Sequence, residues 1–132
     1  MRLLLDTHIF IGMVEDDVGS FPTAIQQRLN TPEHDLYLSV ASLWEISIKV
    51  RLGKLPLRSP LDDLPAVAAR ASISLIVINE RHALLQALPE PPTRDPFDRL
   101  LLAQCAIEGM QLVTIDRALA DHPLSATAQS SP

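Results

Sequence analysis

The opening apolar run Leu3-Leu4-Leu5 ends abruptly at Asp6, and near the other end Leu112-Val113-Thr114-Ile115 likewise runs into Asp116. Each run is too short for a helix and reads as a buried central strand. In open α/β sheets, ligands gather outside the carboxyl ends of the strands, so these two acids would enter one cleft. Two further carboxylates stand at expected helix starts: Glu45 in Ser42-Leu43-Trp44-Glu45, and Asp98 in Asp95-Pro96-Phe97-Asp98. Each acid also has a purely structural reading. Asp6 and Asp116 suit N-caps. Glu45 suits the far half of a capping box with Ser42, or an ion pair with Lys49 four residues on. Asp95 reads as the N-cap ahead of Pro96, and Asp98 as a first-turn acid that the helix dipole keeps ionised at neutral pH. Four carboxylates in one cleft repel unless they are protonated or neutralised by a cation. Oxygen donors without His or Cys select Mg²⁺ or Mn²⁺ over zinc. Such an ion polarises a phosphate and lowers the pKa of a bound water. The chemistry implied is metal-dependent hydrolysis of a phosphodiester.

The elements that must position these acids alternate strand with helix. Thr7 to Val14 predicts a short helix entered from Asp6, and Phe21-Pro22 to Asn30 a second, with Ile25 and Leu29 on one face. Leu36 to Val40 predicts the second strand, followed by a helix from about Ser42 to Arg51 that Gly53 stops. Leu61 to Ala71 predicts a helix despite Pro65, Ser74 to Ile78 a third strand, and Glu80 to Leu88 another helix. After the irregular Pro89 to Arg94 connection comes a strongly apolar helix from Leu100 to Glu108, ended by Gly109, then the Leu112 strand and a short helix over Arg117 to Ala120. This order predicts an α/β fold, a three-layer α/β/α sandwich around a mostly parallel sheet of four to five strands. Residues 1–121 are expected to form a single domain, and the small, polar residues 122–132 a flexible tail.

The bulk numbers restrict the alternatives. At 132 residues the chain suits one domain burying roughly two-thirds of its unfolded surface. An apolar fraction of 47% suits a soluble globule. No segment approaches a membrane span, and the opening residues do not fit a signal peptide. A lone Cys105 excludes an internal disulfide and fits a reducing cytoplasm. The net charge of −5 is unlike that of most nucleic-acid binders, although carboxylates devoted to a cation overstate it.

Leu4-Leu5-Asp6-Thr7-His8, Ala41-Ser42-Leu43-Trp44-Glu45-Ile46, Arg94-Asp95-Pro96-Phe97-Asp98-Arg99-Leu100-Leu101-Leu102-Ala103-Gln104 and Val113-Thr114-Ile115-Asp116 fall in the order of a PIN domain. The chain most resembles the VapC-type ribonuclease toxins of bacterial toxin–antitoxin pairs, over nearly its whole length to about Ala120. The resemblance implies a cytoplasmic, Mg²⁺- or Mn²⁺-dependent endoribonuclease that hydrolyses RNA with metal-activated water. It also implies a cognate VapB-like antitoxin and a homodimer. Carried over by motif, Asp6, Glu45, Asp98 and Asp116 match the catalytic, metal-binding quartet. Asp98 aligns rather than Asp95 because it directly precedes the apolar helix, and Thr114 matches a hydroxyl often seen beside the metals. The resemblance also implies a short strand after the last acid, for which Pro123-Leu124-Ser125-Ala126 is a poor candidate.

Other residues offer less. His8, His34, His82 and His122 show no ligand spacing, and Cys105 reads as a buried small hydrophobe. Trp44 and Phe97 flank acids but read as core rather than as base-stacking platforms. The basic run Lys49 to Arg58 is either a solvated helix end or a grip on RNA phosphates. Arg94 and Arg99 would contact substrate or screen the acids. Among rival readings, a haloacid-dehalogenase-like phosphatase wants Asp-x-Asp, where this chain has His8. A receiver domain wants an acid at the end of the third strand, where it has Ile78-Asn79. A PIN-like domain kept only for binding or regulation would not need the intact quartet.

Overall fold

A computed structural model describes residues 1–126. Four parallel strands lie in the order β3-β2-β1-β4: β1 (Arg2–Leu5), β2 (Asp35–Ser39), β3 (Ile73–Ile76) and β4 (Gln111–Val113). Between and after them run α1 (Thr7–Val14), α2 (Thr23–Asn30), α3 (Val40–Arg51), α4 (Leu64–Arg70), α5 (Glu80–Leu84), α6 (Pro96–Glu108) and α7 (Arg117–Ala120). Because β1 is central, both of its faces are covered. Leu3 and Leu5 point into one core with Ile9, Phe10, Ile25, Ile46 and Leu64, which come from α1 to α4. Leu4 points the other way, into a second core with Leu101, Leu102 and Cys105 of α6 and Leu119 of α7. All three leucines are fully buried, each contributing about 1.5–3 kcal/mol of transfer free energy. Two cores on two faces of one sheet make the expected three-layer α/β/α arrangement.

Parallel pairing brings the strand ends to one edge. Leu5 of β1 pairs with Val113 of β4, and the Asp6 amide continues the ladder by donating to Val113 O at 2.9 Å. Asp6 therefore leaves the sheet level with the end of β4.

Several boundaries differ from expectation for tertiary reasons. β3 ends at Ile76, opposite Ser39, where β2 gives way to α3; Val77 and Ile78 have no strand left to pair with. α5 stops at Leu84 rather than Leu88, since Leu84, Leu85 and Leu88 are all exposed and offer no buried face to hold another turn. α3 begins at Val40, capped by Ser39, whose Oγ accepts from Ala41 N at 3.0 Å. The predicted Ser42 cap is thus replaced by a residue inside the strand-to-helix turn. α6 ends as expected, on Gly109 in the left-handed conformation at φ 69°, where a side chain would be strained.

Residues 122–126, the start of the expected tail, bond to the sheet. Leu112 N donates to Leu124 O and Ala126 N donates to Leu112 O, both at 2.8 Å, forming a single parallel bridge between Leu112 and Ser125. His122 is buried, and its Nε2 donates to Pro89 O at 2.7 Å. One bridge is what remains of the additional strand; residues 127–132 of the expected tail lie outside the described residues. No helix among the described residues is long and apolar enough to cross a membrane.

Candidate active site at the carboxyl edge of the sheet

Asp6 joins β1 to α1 directly. Its Oδ1 accepts from Thr7 N at 2.7 Å, as an N-cap does, and its Oδ2 accepts from Thr114 Oγ1 at 2.7 Å. The Thr114 hydroxyl in turn accepts from the Asp116 amide at 3.0 Å, and Asp116 Oδ1 caps α7 by accepting from Ala118 N at 2.9 Å. One buried hydroxyl thereby sets the spacing between the two strand-end acids. The cap readings of Asp6 and Asp116 are correct, and capping leaves Asp116 Oδ2 without a hydrogen-bond partner among the described residues.

Glu45 is 6% exposed and does not complete a capping box. Its Oε1 accepts from Thr7 Oγ1 at 2.7 Å, and Ser42 Oγ lies 2.9 Å from the same Thr7 oxygen. Because the single Thr7 proton goes to the carboxylate, Ser42 supplies its own proton to Thr7. Glu45 Oε2 is 2.7 Å from Lys49 Nζ, the one ion pair any of the four acids makes among the described residues. Thr7 thus links the first acid's helix to the second acid. No spacing rule in the sequence singles it out, because its partner stands 38 residues away.

Asp98 occupies the third position of α6, behind the Asp95 cap, whose Oδ1 accepts from Phe97 N at 2.9 Å. Thr93 Oγ1 donates to Asp98 Oδ2 at 3.2 Å and accepts from Asp95 N at 3.1 Å. Arg99 grips Thr93 O through Nε at 2.9 Å and Nη2 at 2.6 Å and pairs with Glu90. It therefore braces the loop that orients Asp98, with its guanidinium already engaged. Arg94 is exposed.

The electrostatics bring these acids together. Burial, then the charges of Asp95, Asp6 and Asp116, push the Asp98 carboxyl up to about 7. The expectation that the helix dipole keeps it ionised is corrected: desolvation and three neighbouring carboxylates outweigh a dipole worth about 0.3–1 kcal/mol. Burial also raises the Asp6 carboxyl, against its bonds from Thr114 and Thr7 and the charge of His8, while Glu45 pushes it further up. Asp6, Asp98 and Asp116 share one field, and Glu45 joins it through Asp6.

Among the described residues no three carboxylate, imidazole or thiol groups are set closely enough to enclose an ion; each of the four acids is turned onto at least one hydroxyl, amide or ammonium donor. The donor chemistry nevertheless fits a hard divalent cation. It consists of carboxylate and hydroxyl oxygens, crowded until one carboxyl is driven towards the neutral form, with Asp98 Oδ1 and Asp116 Oδ2 uncommitted.

Of the remaining candidates, two histidines and the cysteine are structural. His82 is buried, accepts from Asn79 N through Nδ1 and donates from Nε2 to Glu108 at 2.8 Å. His34 bonds Arg28 O. Burial pushes the Cys105 thiol well above its ordinary range, so it is the inert small hydrophobe expected. Of the basic run, Arg58 is bound to Glu15 at 2.8 Å and Lys49 to Glu45, leaving Arg51 and Lys54 exposed. Trp44 is not core: it is 62% exposed.

The family model for the PIN domain matches residues 3–123. No curated protein matches the chain.

Proposed function

The chain belongs to the PIN domain family, whose members are in general metal-dependent nucleases, and from that premise we propose that it is an Mg²⁺-dependent endoribonuclease, with Mn²⁺ as a substitute. Asp6, Glu45, Asp98 and Asp116 are its catalytic and metal-binding residues. The observation that carries this reading is the crowding at Asp98, whose carboxyl the charges of Asp95, Asp6 and Asp116 help to raise to about 7. A fold built for stability alone gains nothing from packing like charges at one sheet edge. When bound there, a divalent cation supplies Lewis acidity towards a phosphate and a more acidic water.

The chain's own groups do the positioning. Thr114 and the Thr7 amide hold the Asp6 carboxylate, the Thr7 hydroxyl and Lys49 hold Glu45, and Thr93 holds Asp98. Asp98 Oδ1 and Asp116 Oδ2 are the oxygens that these bonds leave uncommitted among the described residues, and Asp98 would ligate a cation as the carboxylate. On this reading the nuclease domain includes the residues up to Ser125, which the bridge to Leu112 supports.

The finer reading is that of a cytoplasmic VapC-type toxin, homodimeric and restrained by a VapB-like antitoxin. It rests on the sequence motifs. Inhibition by such a partner through a basic side chain in the acidic cleft should weaken as Mg²⁺ rises.

The test is cleavage of a mixed cellular RNA pool with Mg²⁺ or Mn²⁺, beside EDTA and Asp6→Asn controls. Discrete fragments should appear only in the metal-containing parent reaction, and Asp6→Asn should lose orders of magnitude in turnover while remaining folded. Cleavage by Asp6→Asn at the parent rate would refute the assignment. A folded parent that neither binds cation nor cleaves RNA would reduce the four acids to caps and surface charge.

A further inference from the structure

Trp44 is the only tryptophan of the chain, and it lies 62% exposed immediately before buried Glu45. Its partner is Phe97, immediately before buried Asp98. The ring centroids are 5.7 Å apart and the planes cross at 67°, an edge-to-face contact between α3 and α6. One residue along a helix is a 100° turn, so each aromatic flanks its buried acid on the adjoining face of the same helix. Single exposed aliphatics are ordinary, but an indole held in orientation by a second ring, with most of its surface in water, is a preformed stacking surface. Arg51, seven residues on, lies on the same stripe of α3 about 10 Å away, exposed and without an ion-pair partner among the described residues.

We propose that Trp44, braced by Phe97, is a stacking subsite for an unpaired nucleobase of the RNA strand whose phosphate occupies the acidic site, with Arg51 on the backbone of the same strand. The proposal rests on the nuclease reading above and adds what that reading lacks, a sequence-tolerant grip on single-stranded RNA. Every base presents a π-face, and a duplex covers those faces by its own stacking. A negatively charged chain that holds RNA through one ring and few cations selects unpaired strands over helices.

The test uses the emission of this single indole. The full chain is titrated at low salt in EDTA, where the proposed chemistry is stopped, with a short labelled unstructured RNA and with the same RNA annealed to its complement. Single-stranded RNA should quench Trp44 and the duplex should not. Trp44→Leu should bind the single strand about tenfold or more weakly, and Trp44→Phe should stay within about threefold of the parent. RNA binding with unchanged Trp44 emission, or parent affinity in Trp44→Leu, would overturn the subsite while metal-dependent cleavage left the nuclease reading standing. Emission that responds to protein concentration and not to RNA would assign this face to a second copy and overturn it equally. Absence of both RNA binding and RNA cleavage would remove the nuclease reading and the subsite together.

Discussion

Replacing Asp98 by Asn should stabilise the cation-free protein, and increasingly so as pH rises. The folded carboxyl is raised to about 7, whereas in the unfolded chain it returns to about 3.9. Between those values the native state holds a proton that the unfolded state has lost, so stability falls as pH rises through that window. A shift of about three units corresponds to a ceiling of about 4 kcal/mol. Water at the cleft and side-chain relaxation reduce that to about 2 kcal/mol. Asn removes the charge and keeps an oxygen for the Thr93 hydroxyl. In EDTA at pH 5 the unfolded carboxyl is already ionised across about one of the three units, so Asp98→Asn should exceed the parent by only about 0.7 kcal/mol. At pH 8 it should exceed the parent by about 2 kcal/mol, or about 7 °C in Tm for a chain of this size. Added Mg²⁺ or Mn²⁺ should then close the gap by stabilising the parent more than the variant. Thermal melts at both pH values, with and without cation, measure all of this. An equal effect at pH 5 and pH 8, or a less stable variant at pH 8, would refute the idea that crowded carboxylates strain this site.

Two further substitutions probe the framework. Thr114→Val removes the hydroxyl that donates to Asp6 and receives the Asp116 amide. It should cost about 1–3 kcal/mol in urea denaturation. Because that hydroxyl favours the Asp6 anion, its loss raises the folded pKa further, so the deficit should be larger at pH 8 than at pH 5; no deficit at pH 8 would contradict the assigned bond. Gly12→Ala places a methyl against the buried Phe21 ring and should destabilise by about 1–3 kcal/mol, less about 1 kcal/mol of improved helix propensity. Gly19→Ala, whose methyl meets open space, is the control, and equal melting of the two variants would show that the Phe21 ring moves aside freely.

What the sequence by itself determined is what short-range chemistry decides. α1 runs from Thr7 to Val14 as predicted, because an apolar strand, a capping Asp and an apolar helical run follow one another without a gap. α6 is bounded by Asp95 with Pro96 at one end and Gly109 at the other, signals that act within one turn. The parallel sheet follows from strands alternating with helices, and the positions of Asp6 and Asp116 follow from strands that must end together. The tertiary structure alone decided how the acids are held and charged. Thr114 reaches Asp6 across 108 residues of chain and Thr7 reaches Glu45 across 38, and no local pattern encodes such partners. Helix position alone would leave Asp98 ionised, whereas desolvation with three neighbouring charges raises its carboxyl to about 7. Trp44 looked buried from its type, and the way α3 packs against α6 leaves it exposed. Helix caps and turns depend on neighbours along the chain, whereas protonation and exposure depend on everything within a few ångströms, which the fold alone brings together.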